Sequence, residues 1–195
     1  MNLVEVQLQN AQRMHLVVDS SRDRVIAPFL MQHKIWEPSE TAILCQLLRP
    51  GHNVIDVGAN IGYYTVMFSK LVGPSGWVHS FEPEPNSFRL LSANLLINDC
   101  TNVSCENRAV SDITGDQDLY LSDVNLGDHR LFPCEGRASC SVETTSLDET
   151  LPWQQIDFVK IDTQGAEPRI LAGMHQLIER SRGRLGCLWS SAQGC

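Results

Sequence analysis

An apolar run that leads directly into a glycine turn constrains the fold of this chain most. Residues 53–57 have the length and apolar character of a buried strand, 58–62 contain two glycines, and 63–71 repeat apolar side chains at helical spacing. A strand that turns tightly into a helix begins a βαβ unit. The sequence therefore predicts a parallel strand at this point.

The same alternation of strands and helices continues along the chain. Further strands are predicted at 77–81, 103–110 and 156–162, helices at 37–48, 86–97 and 168–180, and two more β-like segments at 118–122 and 140–145 around a loop at 127–136. Strands separated by crossover helices predict an α/β fold, in which a mostly parallel sheet carries helices on both faces.

Composition and charge limit the functions that remain. The 195 residues are 43% hydrophobic and 19% charged, which predicts one soluble domain with a packed core. The net charge of −8 argues against binding to a phosphate backbone, so we expect no nucleic-acid partner. No apolar run approaches the roughly 18 residues of a membrane span, and the polar N-terminus lacks a secretory signal pattern. We therefore expect a cytoplasmic protein without a membrane partner.

The seven cysteines are odd in number and have no metal-ligand spacing. This pattern predicts free thiols in a reducing compartment and no metal site.

Ligands of α/β sheets bind beyond the carboxyl ends of the strands, so the residues that follow each strand are the candidates for a site. Gly58 and Gly62 let the backbone approach a ligand and leave helix N–H groups pointing at it. Glu82 ends the next strand 20 residues after Gly62, where a carboxylate can accept hydrogen bonds from both hydroxyls of a ribose. These residues predict a cofactor that contains adenosine.

Asn60 stands where a dinucleotide turn needs a small residue to admit a pyrophosphate. A nicotinamide-dependent oxidoreductase is therefore the weaker alternative. S-adenosylmethionine has no phosphate, and a side-chain amide with exposed N–H groups suits the charged ends of its amino-acid part. On this reasoning a side chain at Gly58 is expected to fill the space that the methionine part needs.

At these residues the chain resembles the FkbM-type methyltransferases, a branch of the class I S-adenosylmethionine-dependent methyltransferases. The matching segments follow the family's order and are 35–38, 50–51, 54–65, 81–85, 107–112, 145–148, 158–167 and 171–173. The resemblance implies a Rossmann-like sheet and methyl transfer from S-adenosylmethionine, usually to an oxygen atom of a small molecule or glycan.

The resemblance also implies a cofactor site made of residues at four strand ends. They are Asp56, Gly58, Asn60 and Gly62 for the methionine part, Glu82 for the ribose, Asn107 and Ala109 for the adenine, and Asp162 beside the transferable methyl group. For Asn107 the alternative is a strand-end cap or turn residue.

A hydroxyl acceptor must lose its proton, and Asp162 or Glu167 can take it. Lys160 lies on the same face of its strand as Asp162 and can orient it or balance its charge. The alternatives are helix capping for the two carboxylates and a structural ion pair for Lys160. Other possible bases are His33, His79 and His129, none of which the sequence places near the site.

The C-terminus departs from the family pattern, because a complete class I sheet has seven strands and this chain ends soon after the helix at 168–180. We expect an N-terminal segment at 1–36, the methyltransferase domain at 37–182 and an atypical tail at 183–195, with the last strands missing. An exposed sheet edge predicts a possible homodimer. Four side chains are expected to be poorly packed, namely Leu177, Ile178, Leu185 and Trp189. A catalytically inactive, cofactor-binding remnant is the second alternative.

Overall fold

The computed structural model describes residues 1–8, 12–152 and 154–189. In chain order its elements are β1 (Asn2–Gln7), β2 (Arg13–Val18), α1 (Ile26–His33), α2 (Pro38–Leu47), β3 (Asn53–Val57), α3 (Tyr63–Val72), β4 (Trp77–Phe81), α4 (Pro85–Ile97), β5 (Val103–Glu106), β6 (Ala109–Val110), β7 (Gly115–Tyr120), β8 (Ser139–Thr145), α5 (Leu147–Thr150), β9 (Phe158–Ile161), α6 (Glu167–Ala172), α7 (His175–Arg180) and β10 (Gly186–Trp189).

A parallel five-stranded sheet forms the centre, in the order β10-β9-β3-β4-β5. Val54 of β3 is level with Val78 of β4 and with Phe158 of β9. Because successive side chains of a strand point to opposite faces, two apolar layers result. Val54 packs in the layer that holds α3 and α4, whereas Ile55 packs in the layer that holds α6 and α7. The predicted α/β architecture with helices on both faces is confirmed.

The strand predicted at 103–110 is wrong as a single element. β5 belongs to the central sheet, but β6 pairs with β8 in a separate three-stranded sheet, in the order β6-β8-β7. The chain changes sheet at Asn107, whose Nδ2 donates to the carbonyl oxygens of Glu82 and Pro83 at 2.8 and 2.9 Å. These bonds hold the chain at the end of β4, so the strand cannot continue.

The single helix predicted at 168–180 is also wrong, because two helices, α6 and α7, take its place. A Cβ at Gly173, between them, would lie 2.2 Å from the carbonyl oxygen of Ser111. The chain therefore passes directly over the Ser111 backbone, and only glycine fits at this approach.

An N-terminal β-hairpin, β1 with β2, was not predicted from the sequence. Its buried side chains, Val4 and Val6 on one strand and Met14 and Leu16 on the other, join the same apolar layer as α3 and α4. Asn94 of α4 fixes the hairpin, because its side chain bonds both backbone groups of Val17 and also donates to the carbonyl oxygen of Ile61 at 2.7 Å.

The tail at 183–195 contributes β10, which pairs in parallel with β9 at one edge of the central sheet. Leu177 is fully buried, so the expectation of poor packing is wrong for this residue, because its side chain lies in the layer beneath β9. Leu185 packs partly against the same layer, and Ile178 and Trp189 are exposed. Residues 190–195, with Cys195, lie outside the described residues. The missing last strands stay a prediction, and so does the homodimer.

No helix in the described part of the chain is long and apolar enough to cross a membrane. The six described cysteines are free thiols. The domain boundaries stay predictions.

Candidate functional site

A cavity of about 230 Å³ opens at the carboxyl ends of β3, β4 and β9. Gly58, Glu82 and Asp162 line it from three neighbouring strand ends, as expected for a parallel sheet. Residues of the loop between β7 and β8, which include Leu126 and His129, also line it. The strand ends that carry the predicted site residues therefore do meet in one place.

The glycine turn after β3 is shaped by two close approaches. Gly58 has φ +81°, and a Cβ there would lie 2.1 Å from the carbonyl oxygen of Asp162. Gly62 has φ +88°, and its Cβ would lie 2.7 Å from a methyl carbon of Leu91 in α4. A side chain at Gly58 would therefore first strike the backbone at the end of β9, before it reached the space expected to hold the methionine part.

Glu82 is buried at the base of the cavity and supports the turn. Its Oε2 accepts the backbone N–H of Asn60 at 2.7 Å, and its Oε1 accepts the N–H of Glu84 at 2.9 Å. Burial raises the pKa of Glu82 to about 8, although the two N–H donors oppose this shift. Each carboxylate oxygen has a further lone pair, so the group can still accept hydrogen bonds from two ribose hydroxyls.

Asn60 and Ala109 line the cavity, as their predicted roles require. The Oδ1 of Asn60 is buried without a hydrogen-bond partner among the described residues. Asn107 has the cap geometry of the alternative interpretation, because its side chain holds the backbone at Glu82 and Pro83. Its neighbour Arg108 lines the cavity in its place.

Lys160 is buried beneath Asp162. Its Nζ donates to Oδ2 of Asp162 at 2.7 Å, lies 3.7 Å from a carboxylate oxygen of Glu40 and sits 4.2 Å from the ring centroid of Tyr64. Burial alone lowers the pKa of the Lys160 ammonium, but the surrounding carboxylates outweigh burial and raise it. Lys160 is thus a buried cation that orients Asp162. The same contact is the structural ion pair that was the alternative role for Lys160.

Asp56 and Glu167 do not line the cavity within the described structure. Asp56 is fully buried, and its Oδ2 accepts the hydroxyl of Thr65 at 2.6 Å; burial raises its pKa, which the nearby Lys160 opposes. Glu167 begins α6, and its Oε1 accepts the N–H of Gly165 at 3.1 Å. This bond goes to a residue before the helix, and Glu167 makes no capping hydrogen bond with α6, so the capping alternative stays a prediction. Asp162 is the candidate base that reaches the cavity.

The three histidines have different positions. His33 is exposed. His79 is buried and does not line the cavity, and its Nε2 lies 2.5 Å from Oε1 of Glu106. His129 lines the cavity, and its Nδ1 accepts the N–H of Ser122 at 3.0 Å. Burial lowers the pKa of His129. Sequence reasoning missed this position because it lies in a loop without periodicity.

Glu37 is a second lining residue that was not predicted to belong to the site. Its Oε2 accepts the hydroxyl of Tyr64 at 2.7 Å. The only available signal was the motif at 35–38, which belongs to the family resemblance but carries no assigned role. Across the described ranges, no group of three or more His, Cys, Asp or Glu side chains is arranged to hold a metal ion.

Comparison with curated proteins finds methyltransferases. A 31-O-demethyl-FK506 methyltransferase FkbM of Streptomyces tacrolimicus is 53% identical over 47 residues, which cover 24% of this chain and 18% of that protein. A protein-L-isoaspartate O-methyltransferase of Methanothrix thermoacetophila is 36% identical over 88 residues, or 44% of this chain and 39% of that protein. The chain thus matches less than two thirds of the length of either relative.

Comparison with solved structures finds the same fold. The methyltransferase FkbM from Methylobacillus flagellatus superposes with a TM-score of 0.52 at 15% identity, over 77% of this chain and 40% of that one. The family model described as the methyltransferase FkbM domain matches residues 56–186, which is more than half of the chain. The chain therefore belongs to the FkbM methyltransferase family.

Proposed function

We propose that this chain binds S-adenosylmethionine and transfers its methyl group to a hydroxyl oxygen of a small molecule or glycan. The observation that carries the proposal is the convergence of Gly58, Glu82 and Asp162 on one cavity at the strand ends. The nicotinamide alternative is less favoured, because Asn60 occupies the middle of the turn and the family is one of methyltransferases.

The residues present fit this cofactor. Glu82 has acceptor capacity left for two hydroxyl groups, and the buried Oδ1 of Asn60 offers an acceptor to an N–H group of a ligand. When bound, S-adenosylmethionine supplies a methyl group attached to a positively charged sulfur. After transfer of the methyl group, the sulfur is part of a neutral thioether, which is the leaving group. The leaving group needs no proton, so the protein contributes mainly by positioning.

Asp162 is the residue best placed to receive the proton of an acceptor hydroxyl. It lines the cavity, and the hydrogen bond from the ammonium of Lys160 at 2.7 Å orients its carboxylate. Lys160 is a positioning residue, because it acts on Asp162 and does not itself line the cavity within the described residues. Oxygen as the acceptor atom is supported by two of the matching curated relatives, of which one is named a protein-L-isoaspartate O-methyltransferase and the other a 31-O-demethyl-FK506 methyltransferase.

Calorimetric titration with S-adenosylhomocysteine tests the cofactor. We expect saturable binding with one site per chain, and its absence in the folded protein would contradict the proposal. The acceptor is tested by transfer of a tritiated methyl group from S-adenosylmethionine to hydroxylated compounds, to their deoxy counterparts, and to matched amines and thiols. Label on the hydroxylated compounds alone supports O-methylation, whereas label on amines or thiols alone contradicts it. Binding without any transfer would favour the inactive remnant.

A further inference from the structure

We propose that Glu37 is a further binding residue of the cavity and that, together with Asp162, it recognises a positively charged group of the methyl donor. The inference rests on the proposed function, since the donor is taken to be S-adenosylmethionine. It assigns to the motif at 35–38 a role in the site.

The backbone at Glu37 directs its side chain toward the cavity. Glu37 precedes α2 with φ +41°, a left-handed conformation that is costly for a residue with a Cβ. Its side chain makes no capping hydrogen bond with α2. The carboxylate instead accepts the Tyr64 hydroxyl and lines the cavity, so the unusual conformation serves the cavity and not the helix.

Glu37 and Asp162 are connected behind the cavity wall. Tyr64, which donates to Glu37, places its ring 4.2 Å from the Nζ of Lys160, and Lys160 donates to Asp162. Burial raises the pKa of the neighbouring Glu40, and the charges of both Glu37 and Asp162 raise it further. Both carboxylates also line the same cavity, so one bound group can contact both.

The carboxylates of Glu37 and Asp162 have partners of different charge. Lys160 donates its hydrogen bond to Asp162 and lies 3.7 Å from a carboxylate oxygen of Glu40. Glu37 has a neutral partner, the hydroxyl of Tyr64, so its negative charge remains available. Trp36 and Tyr63 also line the cavity, and aromatic faces attract cations as well.

A ligand cation therefore suits this end of the cavity. The buried Oδ1 of Asn60, which also lines the cavity, is a further acceptor without a partner among the described residues. S-adenosylmethionine carries two such groups, the α-ammonium and the sulfonium. Both are cations with the same electrostatic preference, so the experiment must separate them.

The test compares the parent with Glu37→Gln in calorimetric titrations of three compounds. S-adenosylmethionine has both cations, S-adenosylhomocysteine has only the ammonium, and 5′-methylthioadenosine has neither. We expect Glu37→Gln to weaken binding of S-adenosylmethionine at least about 10-fold and to leave 5′-methylthioadenosine unchanged. A parallel loss for S-adenosylhomocysteine identifies the ammonium, and an unchanged value for it identifies the sulfonium.

Two further variants make the result interpretable. Glu179→Gln removes an exposed carboxylate of α7 and should change none of the three affinities. Tyr64→Phe removes the hydroxyl that holds Glu37 but keeps the ring over Lys160, and should weaken the same ligands as Glu37→Gln by a smaller factor.

Unchanged binding of S-adenosylmethionine to Glu37→Gln, or an equal loss for all three compounds, would overturn the inference. Failure of the parent to bind any of them would instead contradict the proposed function, so the two failures are distinguishable.

Discussion

Glu82 accepts the backbone N–H of Asn60 at 2.7 Å, so the residue expected to bind the ribose also holds the glycine turn in place. The same carboxylate accepts the N–H of Glu84 and is almost fully buried. Burial raises the pKa of Glu82 to about 8, and the group is therefore mostly protonated in the ligand-free protein at neutral pH.

Ligand binding should depend on the protonation of Glu82. Hydroxyl donors of a ribose favour the ionised carboxylate, so we expect the affinity for S-adenosylhomocysteine to rise as the pH rises from about 6 through the pKa near 8. Glu82→Gln should bind more weakly and show no such rise. Calorimetry across this pH range measures both effects, and a parent affinity that does not change with pH would contradict the argument.

The stability of the ligand-free protein should show the opposite dependence on pH. The pKa of Glu82 is higher in the folded chain than its ordinary value of 4.5. Its contribution to the free energy of unfolding is therefore fully present below pH 4.5 and is lost as the pH rises through about 8. Because each pKa unit corresponds to roughly 1.36 kcal/mol, the loss of stability is on the order of a few kcal/mol. The melting temperature of Glu82→Gln minus that of the parent should therefore become larger as the pH rises from 5 to 9. An equal difference at both pH values would show that Glu82 is not the titrating group.

Gly58→Ala should destabilise the protein through its contact with β9. The new Cβ would lie 2.1 Å from the carbonyl oxygen of Asp162, at a position with φ +81°. Gly136→Ala is a matched control, because Gly136 has φ +76° but nothing within 4 Å of its Cβ position. We expect the control to lose about 1 to 2 kcal/mol of the free energy of unfolding, and Gly58→Ala to lose roughly 1 to 3 kcal/mol more. Urea unfolding measures both losses. Similar losses in both variants would remove the close approach as the cause.

Lys160→Met should be strongly destabilising at neutral pH. It leaves the carboxylate of Asp162 and the buried carboxyl groups of Asp56 and Glu40 without their cation, and breaking a buried pair costs about 3 to 5 kcal/mol. The loss should shrink toward pH 4, because burial raises the pKa of Asp56 and Glu40 and so favours their protonated forms as the pH falls. The double variant Lys160→Met with Asp162→Asn should recover part of the loss, and Lys70→Met serves as the control for a removed lysine. A loss of equal size at both pH values would point to packing and not to charge.

The strands at the centre of the sheet could be predicted from sequence to the residue. The predicted bounds 53–57 and 77–81 agree with β3 and β4, because both runs are apolar and end at turn residues. The hairpin was missed although Val4, Val6, Met14 and Leu16 alternate with polar residues, which is the pattern of strands with one buried face. The splitting of 103–110 was not predictable, because the change of sheet depends on hydrogen bonds between Asn107 and the end of β4.

The candidate site could be predicted wherever a residue directly follows a strand. Gly58, Asn60, Glu82 and Asp162 reach the cavity for this reason. Asp56 lies within β3 and Glu167 lies six residues after β9, and their side chains are bonded to Thr65 and to the Gly165 backbone. Glu37 and His129 come from a helix start and a long loop, and their positions depend on tertiary packing that local sequence does not encode.

The hydrogen bonds of Asn94 determine where the chain can be shortened for protein engineering. The family match begins at residue 56, which invites a shortened version without the first strands. Removing the hairpin would take away both Val17 partners of a fully buried amide and would uncover the apolar side of α4. The same amide anchors Ile61 in the glycine turn. The smallest unit that keeps a well-formed ligand site therefore includes β1 and β2, which lie more than thirty residues before the family match begins.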